Sequence, residues 1–330
     1  MVELHRIDQT VAPPGQHADE RAEDAVTFTI TGSTPAPSTL GNLTRALRPR
    51  QWSKNLLVFV APAAAGVLDR RLDVLHSLGA FAIFCVAASG TYLVNDVLDA
   101  DSDRHHPDKR HRPVAAGALS GIFAATIGIS LMVIAIGAAC FLAGWVFAAV
   151  IGAYAAISLA YSIWLKRVPV IELAAVASGF VLRAMAGGAA THVPLSNWFL
   201  VVTSFGALFV VTGKRAAEYT TLGDRRVEHR AVLADYTPSF LQSTLTLTSS
   251  VMVTAYCLWA FDRTGLQSKA GHHFVWIQLT VVPMILGVLY VLRLLDSGRG
   301  GAPEDLALHD HFVQVFGVVW LVLFSIGLYG

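Results

Sequence analysis

The stretch N-D-V-L-D-A-D-S-D-R-H-H-P-D-K-R-H-R-P, residues 95–113, interrupts a chain that is otherwise mostly apolar. It contains five aspartates and four Lys or Arg residues, and a long apolar run stands on either side of it. A run of about 20 apolar residues is long enough to cross a bilayer as a helix. The charges therefore lie where a predicted membrane-spanning helix leaves the membrane.

The composition of the whole chain supports a membrane protein. Of its 330 residues, 54% are hydrophobic and only 14% are charged, whereas soluble domains carry about 25% charged residues. The sequence predicts an all-α polytopic fold, with a disordered cytosolic tail at residues 1–40 and a nine-helix transmembrane domain at residues 41–330. The nine predicted spans have approximate limits 53–69, 74–95, 115–136, 141–164, 170–190, 196–212, 239–261, 273–294 and 311–329.

The distribution of Lys and Arg predicts the orientation. The loops on the same side as the N-terminus contain 17 of these residues, and the loops on the opposite side contain 4. Because positively charged loops stay in the cytoplasm, we expect the N-terminus inside the plasma (inner) membrane and the C-terminus outside. This places residues 95–113 on the cytoplasmic face.

Three of the aspartates have a spacing that suggests a metal site. Asp96, Asp99 and Asp103 stand at i, i+3 and i+7, which is one face of a helix, and Asn95 offers a neutral oxygen beside them. Mg²⁺ prefers carboxylate oxygens and commonly bridges to substrate phosphates. The pattern favours a Mg²⁺–diphosphate site, while a solvated helix end with paired acids and bases is the alternative.

The spacing N-D-x-x-D-x-x-x-D, followed by H-P-x-K-x-x-R-P with Lys109 and Arg112, resembles the first aspartate-rich motif of the UbiA superfamily of intramembrane prenyltransferases. This resemblance covers about residues 42–330. It implies nine transmembrane helices around a central cavity that opens to the cytoplasm. It also implies that Asp96, Asp99 and Asp103 carry the catalysis and, with Asn95, hold Mg²⁺. Asn95, Lys109 and Arg112 are expected to bind the substrate.

The expected second aspartate motif is replaced. Residues 213–219 read G-K-R-A-A-E-Y, with Lys214 and Arg215 at the expected acidic positions and Glu218 as the one acid. Lys and Arg bind phosphate without a metal. The K-R-A-A-E pattern and R-P-R-Q-W-S-K-N at residues 48–55 resemble the branch of the family that makes decaprenylphosphoryl-5-phosphoribose.

That branch resemblance implies two substrates, phosphoribosyl pyrophosphate and a polyprenyl (decaprenyl) phosphate, and a product used for cell-wall arabinan. An aromatic prenyltransferase that uses an isoprenyl diphosphate is the alternative enzyme. A cation-binding transporter is a further alternative, although transporters usually place their ion sites near the midplane of the membrane. The sequence predicts membrane lipid as a partner, predicts no nucleic acid, and leaves a homo-oligomer open.

The remaining candidate residues are charged or polar groups near the ends of spans, apart from one arginine within a span. Arg48, Gln51 and Lys54 are predicted to bind the lipid phosphate, and Tyr161 and Lys166 resemble a diphosphate-binding pair. Anchoring at the membrane surface is the alternative for all the basic ones, including Lys214 and Arg215. Arg183 lies within a span, where a charge is costly. We expect it to line the cavity together with Glu172, eleven residues earlier, and to bind a substrate phosphate there. A structural role, bonding backbone carbonyls, is the alternative.

Overall fold

The computed structural model describes residues 39–106, 108–223, 231–267, 274–297, 306 and 309–329. Residues 1–38, and with them nearly all of the predicted tail, lie outside this described part. Within it the secondary structure is helical, without a β-strand. The all-α prediction is therefore confirmed.

The described chain contains twelve α-helices and four 3-10 segments, joined by turns and loops. The 3-10 segments are Pro49–Phe59, Lys109–His111, Leu165–Arg167 and Ala231–Ala234. The α-helices are α1 Thr39–Ala46, α2 Val60–Ala65, α3 Arg71–Leu98, α4 Ala100–His105, α5 Gly121–Ala143, α6 Trp145–Ile163, α7 Ile171–Ala190, α8 Asn197–Leu222, α9 Pro238–Gln267, α10 Phe274–Leu279, α11 Val281–Asp296 and α12 His311–Tyr329.

Eight helical stretches of the described residues are long and apolar enough to cross a membrane, with α10 and α11 together forming one of them. They correspond to the second to ninth predicted spans, and the protein is a multi-pass membrane protein. The largest difference is in α8, which continues to Leu222, ten residues beyond the predicted end. It can do so because the charge of Arg215 is neutralised by acidic partners inside the protein.

The first predicted span, 53–69, has a different structure from the others. It consists of the 11-residue 3-10 segment Pro49–Phe59 followed by the short helix α2. Pro62 in α2 has no N–H and cannot bond the carbonyl of Val58, four residues earlier. This missing bond affects only the end of the segment, because the 3-10 geometry already begins at Pro49. The prediction of a regular transmembrane helix was therefore wrong in form for this segment.

The 3-10 segment nevertheless runs along about half of α3 in the opposite direction. Its contacts move steadily from the C-terminal end of α3 towards the N-terminal end, and they span 15 residues of that helix, or about 22 Å. This distance is most of the way across a hydrocarbon core of about 30 Å. The contacting pairs are Arg48 with Asp96, Trp52 with Ser89, Asn55 with Cys85 and Phe59 with Phe81.

Glycines allow the closest approaches between helices. A Cβ added at Gly187 in α7 would lie 1.7 Å from the carbonyl oxygen of Val58, so only glycine allows the 3-10 segment to reach α7. Gly90 in α3 and Gly128 in α5 face each other, and a Cβ at either one would lie within 3 Å of the other residue's carbonyl oxygen. Such contacts are typical of helix packing in membranes, where small residues let backbones meet.

Candidate active site

The aspartate motif lies at the junction of α3 and α4. Helix α3 ends at Leu98 and α4 begins at Ala100, but backbone hydrogen bonds from Asp99 N to Asn95 O (2.9 Å) and from Asp103 N to Asp99 O (2.8 Å) continue the helical pattern across the junction. The helix therefore holds the three aspartates in succession with only a local break at Asp99. Asp96 and Asp103 are buried, and Asp99 is partly exposed.

Two arginines neutralise the buried aspartates. Nη1 of Arg112 donates to Asp103 Oδ2 at 2.6 Å and also lies 3.2 Å from Asp96 Oδ1. Arg48 donates to the same oxygen of Asp96 and stands 5.2 Å over the ring of Tyr92. Arg48 adopts a left-handed backbone conformation (φ 52°, ψ 58°) at the start of the 3-10 segment. The start of that segment and the loop after α4 thus both deliver a guanidinium to one acidic site.

The third aspartate is paired with a lysine from a distant part of the chain. Nζ of Lys166, in the 3-10 turn after α6, donates to Asp99 Oδ1 across 67 positions of sequence. The side chains of Lys166, Arg48 and Arg112 are each about a quarter exposed, so the cluster is open to solvent on one side. Three carboxylates thus face three cations at this site.

One atom of the site is consistent with the predicted metal. Oδ2 of Asp96 is buried and has no hydrogen-bond partner in the described part of the chain, and leaving such an oxygen unpaired is costly. The described residues contain no group of three His, Cys, Asp or Glu side chains gathered around one point. Mg²⁺ typically needs only one or two carboxylates together with substrate phosphates. The donor set therefore fits a metal that arrives with a diphosphate.

The structure places Arg215 in an ion pair. Its Nε and Nη2 donate to Glu172 Oε1 and Oε2 at 2.8 and 2.9 Å, and its Nη1 donates to Glu218 Oε2 at 3.0 Å. The side chains of Glu172 and Arg215 are almost completely buried. Glu172 therefore pairs with α8 and does not line a cavity as we expected.

Arg183 lies in the core, away from the aspartates. Its Nε donates to Asn55 Oδ1 at 2.8 Å and its Nη1 to the carbonyl of Gly179 at 2.6 Å, and its guanidinium stands 5.0 Å over the ring of Phe84. Phe84 precedes Asp96 by 12 residues of α3, which is about 18 Å along the helix. This environment agrees with the alternative prediction, in which Arg183 has a structural role and bonds a backbone carbonyl. The predicted contact of Arg183 with a substrate phosphate remains untested.

The other candidates lie on the elements that carry the ion pairs. Tyr161, near the end of α6, is close enough to Arg215 to affect it electrostatically. Gln51 and Lys54 belong to the 3-10 segment that begins after Arg48, and Lys109 begins the short turn before Arg112. Asn95 is one residue before Asp96, and Lys214 one residue before Arg215. All of them are partly buried, and their substrate roles remain predictions.

Two residues near the site had no predicted role in it. Tyr92 lies under the guanidinium of Arg48, and Tyr236 contacts Glu172 from the loop before α9. Neither residue belongs to a charged motif. A weak signal for Tyr92 was its position four residues before Asp96, on the same helical face.

Comparison with known proteins identifies the family. A model of the UbiA prenyltransferase family matches residues 56–325, which is most of the chain. The chain belongs to the UbiA prenyltransferase family. The aspartates of α3 and α4 that we noted from their spacing alone lie within the matched residues.

Two curated enzymes are similar to this chain over nearly their whole length. A decaprenyl-phosphate phosphoribosyltransferase from Corynebacterium glutamicum is 40% identical over 299 residues, covering 89% of this chain and 89% of that enzyme. An enzyme of the same name from Mycobacterium tuberculosis is 39% identical over 304 residues, covering 91% of this chain and 96% of its own.

A solved UbiA structure has the same fold. It is a UbiA homologue from Archaeoglobus fulgidus bound to DMAPP and Mg²⁺, with a TM-score of 0.65 over 87% of this chain and 97% of that one. The sequence identity is 17%, so the likeness concerns the fold alone. It agrees with the UbiA-like architecture that the motif predicted.

Proposed function

We propose that this protein transfers the 5-phosphoribosyl group from phosphoribosyl pyrophosphate to a polyprenyl phosphate, decaprenyl phosphate in the family branch it resembles. The observation that carries the proposal is the 40% identity, over 89% of both chains, to an enzyme named for that transfer. Lys214 and Arg215, in place of the second acidic motif, support it. We expect the product to serve as a precursor of cell-wall arabinan.

The chemistry at the ribose needs little proton transfer. An oxygen of the lipid phosphate, already anionic, forms a bond to C1 of the ribose while the bond from C1 to the pyrophosphate oxygen breaks, and pyrophosphate leaves. Because no proton has to be removed from the nucleophile, the protein contributes mainly positioning and electrostatic stabilisation. A site lined by fixed charges suits such a reaction.

The three cations at the aspartates are suited to the leaving group. Arg48, Arg112 and Lys166 already lie at the site, and each can turn from a carboxylate to a diphosphate oxygen. Asp96 and Asp99, with Asp103 and Asn95 beside them, would hold Mg²⁺. When bound, Mg²⁺ would withdraw negative charge from the departing pyrophosphate. Lys109 and Tyr161 would contribute further contacts to the same diphosphate.

The 5-phosphate of the donor would be bound from α8. We assign its direct contact to Lys214, which is partly exposed, because the neighbouring Arg215 is almost completely buried against Glu172. Gln51 and Lys54, in the first half of the 3-10 segment, would bind the phosphate of the lipid acceptor. Arg48 lies between this segment and Asp96 and can contact either phosphate.

An aromatic prenyltransferase is the second candidate, since the A. fulgidus homologue of this fold binds DMAPP. One assay separates the two candidates. Purified protein is incubated with Mg²⁺, polyprenyl phosphate and radiolabelled phosphoribosyl pyrophosphate, and a labelled lipid is expected. If no labelled lipid forms, and product appears instead from an isoprenyl diphosphate and an aromatic acceptor, the proposal is wrong.

We also propose that the N-terminus lies in the cytoplasm and the C-terminus outside. The excess of Lys and Arg in the loops on the N-terminal side supports this orientation. So does the course of the 3-10 segment along α3, which supplies a ninth crossing. Alkaline phosphatase fused after Gly330 should be active in cells, because that enzyme folds only outside the cytoplasm, and an inactive fusion would reverse the assignment.

A further inference from the structure

A buried polar cluster adjoins the candidate site and has no part in the proposed chemistry. It contains Glu172 at the start of α7, Arg215 of α8 and Tyr236 of the loop before α9, all of them buried. Both carboxylate oxygens of Glu172 accept from Arg215, and the hydroxyl of Tyr236 lies 3.4 Å from Glu172 Oε1. The cluster thus joins three separate parts of the chain.

Tyr236 also holds a strained turn. Its hydroxyl accepts a hydrogen bond of 2.9 Å from the backbone N–H of Val170, which has φ 67° and ψ −47°. A positive φ is a genuine outlier for a β-branched residue. Such conformations are energetically unfavourable, persist only where their surroundings enforce them, and cluster at functional sites. Val170 lies four residues after Lys166, which is paired with Asp99.

The hydrogen-bonding roles of Tyr236 are therefore defined. Its oxygen accepts from Val170 N, and its proton is directed to Glu172. Burial raises the pKa of Tyr236 to about 12, so the hydroxyl stays protonated under ordinary assay conditions. Tyr236 is thereby a fixed link between the backbone at Val170, three residues after the 3-10 segment Leu165–Arg167 that carries Lys166, and the carboxylate that orients Arg215.

We propose that Glu172 and Tyr236 are positioning residues of the donor site, which hold the Lys166 turn and the Lys214–Glu218 part of α8 in one fixed arrangement. The inference rests on the proposed function, in which Lys166 binds the diphosphate of the donor and Lys214 binds its 5-phosphate. A donor with phosphates at both ends requires the two binding groups to stay at a constant separation. The cluster supplies that constraint without touching the donor.

Tyr236→Phe is the primary test, because it removes the hydroxyl and keeps the ring that stacks on Phe240 with centroids 5.4 Å apart. We expect the KM for phosphoribosyl pyrophosphate to rise about three- to tenfold, the effect of losing one or two hydrogen bonds. The KM for polyprenyl phosphate should stay within about twofold, since the acceptor does not depend on this turn. An unchanged KM for the donor overturns the proposal, whatever happens to the thermal midpoint.

Tyr256→Phe is the matched control. Tyr256 is also buried and hydrogen-bonded, to Thr280 at 2.6 Å and from Trp320 at 2.7 Å, but it lies 18 residues, about 27 Å, along α9 from the start of that helix. We expect Tyr256→Phe to lower the thermal midpoint and to leave both KM values unchanged. A rise in the donor KM equal to that of Tyr236→Phe would show that general loosening is the cause, and would overturn the proposal.

Glu172→Gln tests the carboxylate itself and should raise the donor KM more than Tyr236→Phe if the protein folds. An independent measurement applies if the wild-type protein forms no labelled lipid, which would refute the proposed function. Calorimetric titration with pyrophosphate and Mg²⁺ then compares Tyr236→Phe with Tyr256→Phe. Weaker binding in Tyr236→Phe alone supports the positioning role, and equal binding overturns it.

Discussion

Arg215 meets Glu172 through two parallel hydrogen bonds of 2.8 and 2.9 Å, although the two residues are 43 positions apart in the sequence. Both side chains are buried, so neither charge can be solvated if the other is removed. Removing one partner of such a pair costs about 3–5 kcal/mol, because it leaves an uncompensated buried charge. We therefore expect substitution of Arg215 to lower stability and substitution of the adjacent Lys214 to change the kinetics.

Arg215→Ala should lower the stability of the folded protein, because Glu172 is fully buried and would lose its main partner. We expect a loss of about 3–5 kcal/mol, measured as a lower midpoint of thermal unfolding in detergent. Lys214→Ala is the control and should change the midpoint little, since Lys214 is only partly buried. Equal midpoints for the two variants would contradict the structural role of Arg215.

Lys214→Ala should instead change the kinetics. A charged hydrogen bond to phosphate contributes about 1.5–3 kcal/mol, so its loss should raise the KM for phosphoribosyl pyrophosphate about 10- to 100-fold. The KM for the polyprenyl phosphate should change much less. Steady-state assays that vary one substrate at a time measure the two effects. A larger change for the lipid would reassign Lys214 to the acceptor.

Asp96→Asn should reduce turnover at least about hundredfold, because the amide is a weaker metal ligand than the buried carboxylate. Asp101→Asn is the control: Asp101 belongs to the same motif but is exposed and pairs at the surface with Arg104 at 2.6 Å, a contact of little energetic value. Formation of labelled lipid at saturating substrate measures both. Near-normal turnover of Asp96→Asn in folded protein would refute the metal assignment.

Removal of divalent metal should stop the reaction without unfolding the protein. Asp96, Asp99 and Asp103 are each paired with a basic side chain of the protein, so chelation leaves no carboxylate of this set without a counter-charge. We expect EDTA to abolish the formation of labelled lipid, added Mg²⁺ to restore it, and the thermal midpoint to stay nearly constant. A large fall in the midpoint would indicate a structural metal.

Gly187→Ala should destabilise the protein by about 2 kcal/mol or more, because overpacked sites cost about 1–3 kcal/mol and this clash involves backbone. The new Cβ would lie 1.7 Å from the carbonyl oxygen of Val58, which must move together with the 3-10 segment. Gly152→Ala in α6 is the control, since nothing lies within 4 Å of its added Cβ. Equal unfolding midpoints for these two alanine variants would show that the 3-10 segment does not pack closely against Gly187 in solution.

The fold was largely predictable because apolar length determines where a chain can cross a bilayer. The second to ninth spans agree with the helices for that reason. The first span was not predictable in form, since its 3-10 geometry depends on the contacts of Asn55 with Cys85 and Arg183 and of Val58 with Gly187. These contacts join distant segments, and no local propensity indicates them.

The candidate site was predicted in part. The sequence predicted that Asp96, Asp99 and Asp103 form one acidic site, because a helix places residues with this spacing on one face. Arg48, Arg112 and Lys166 were predicted to bind substrate. The sequence did not show that each of them pairs with a particular aspartate of the motif. Arg215 and Glu172 show the limit most clearly, since their types and positions suggested a phosphate ligand and a cavity-lining acid.

The sequence by itself determined the membrane-spanning class, the acidic site at the end of α3 and the change from acidic to basic residues in α8. The first two properties follow from composition and from spacing within single helices, and the third follows from the resemblance to the family's second motif. Only the tertiary structure decided which charges are neutralised within the protein, because ion pairing depends on distances between segments far apart in sequence. In the structure, the buried pair of Arg215 and Glu172 holds two helices together. Arg48, Arg112 and Lys166 instead lie beside the aspartates, where we propose that a diphosphate binds.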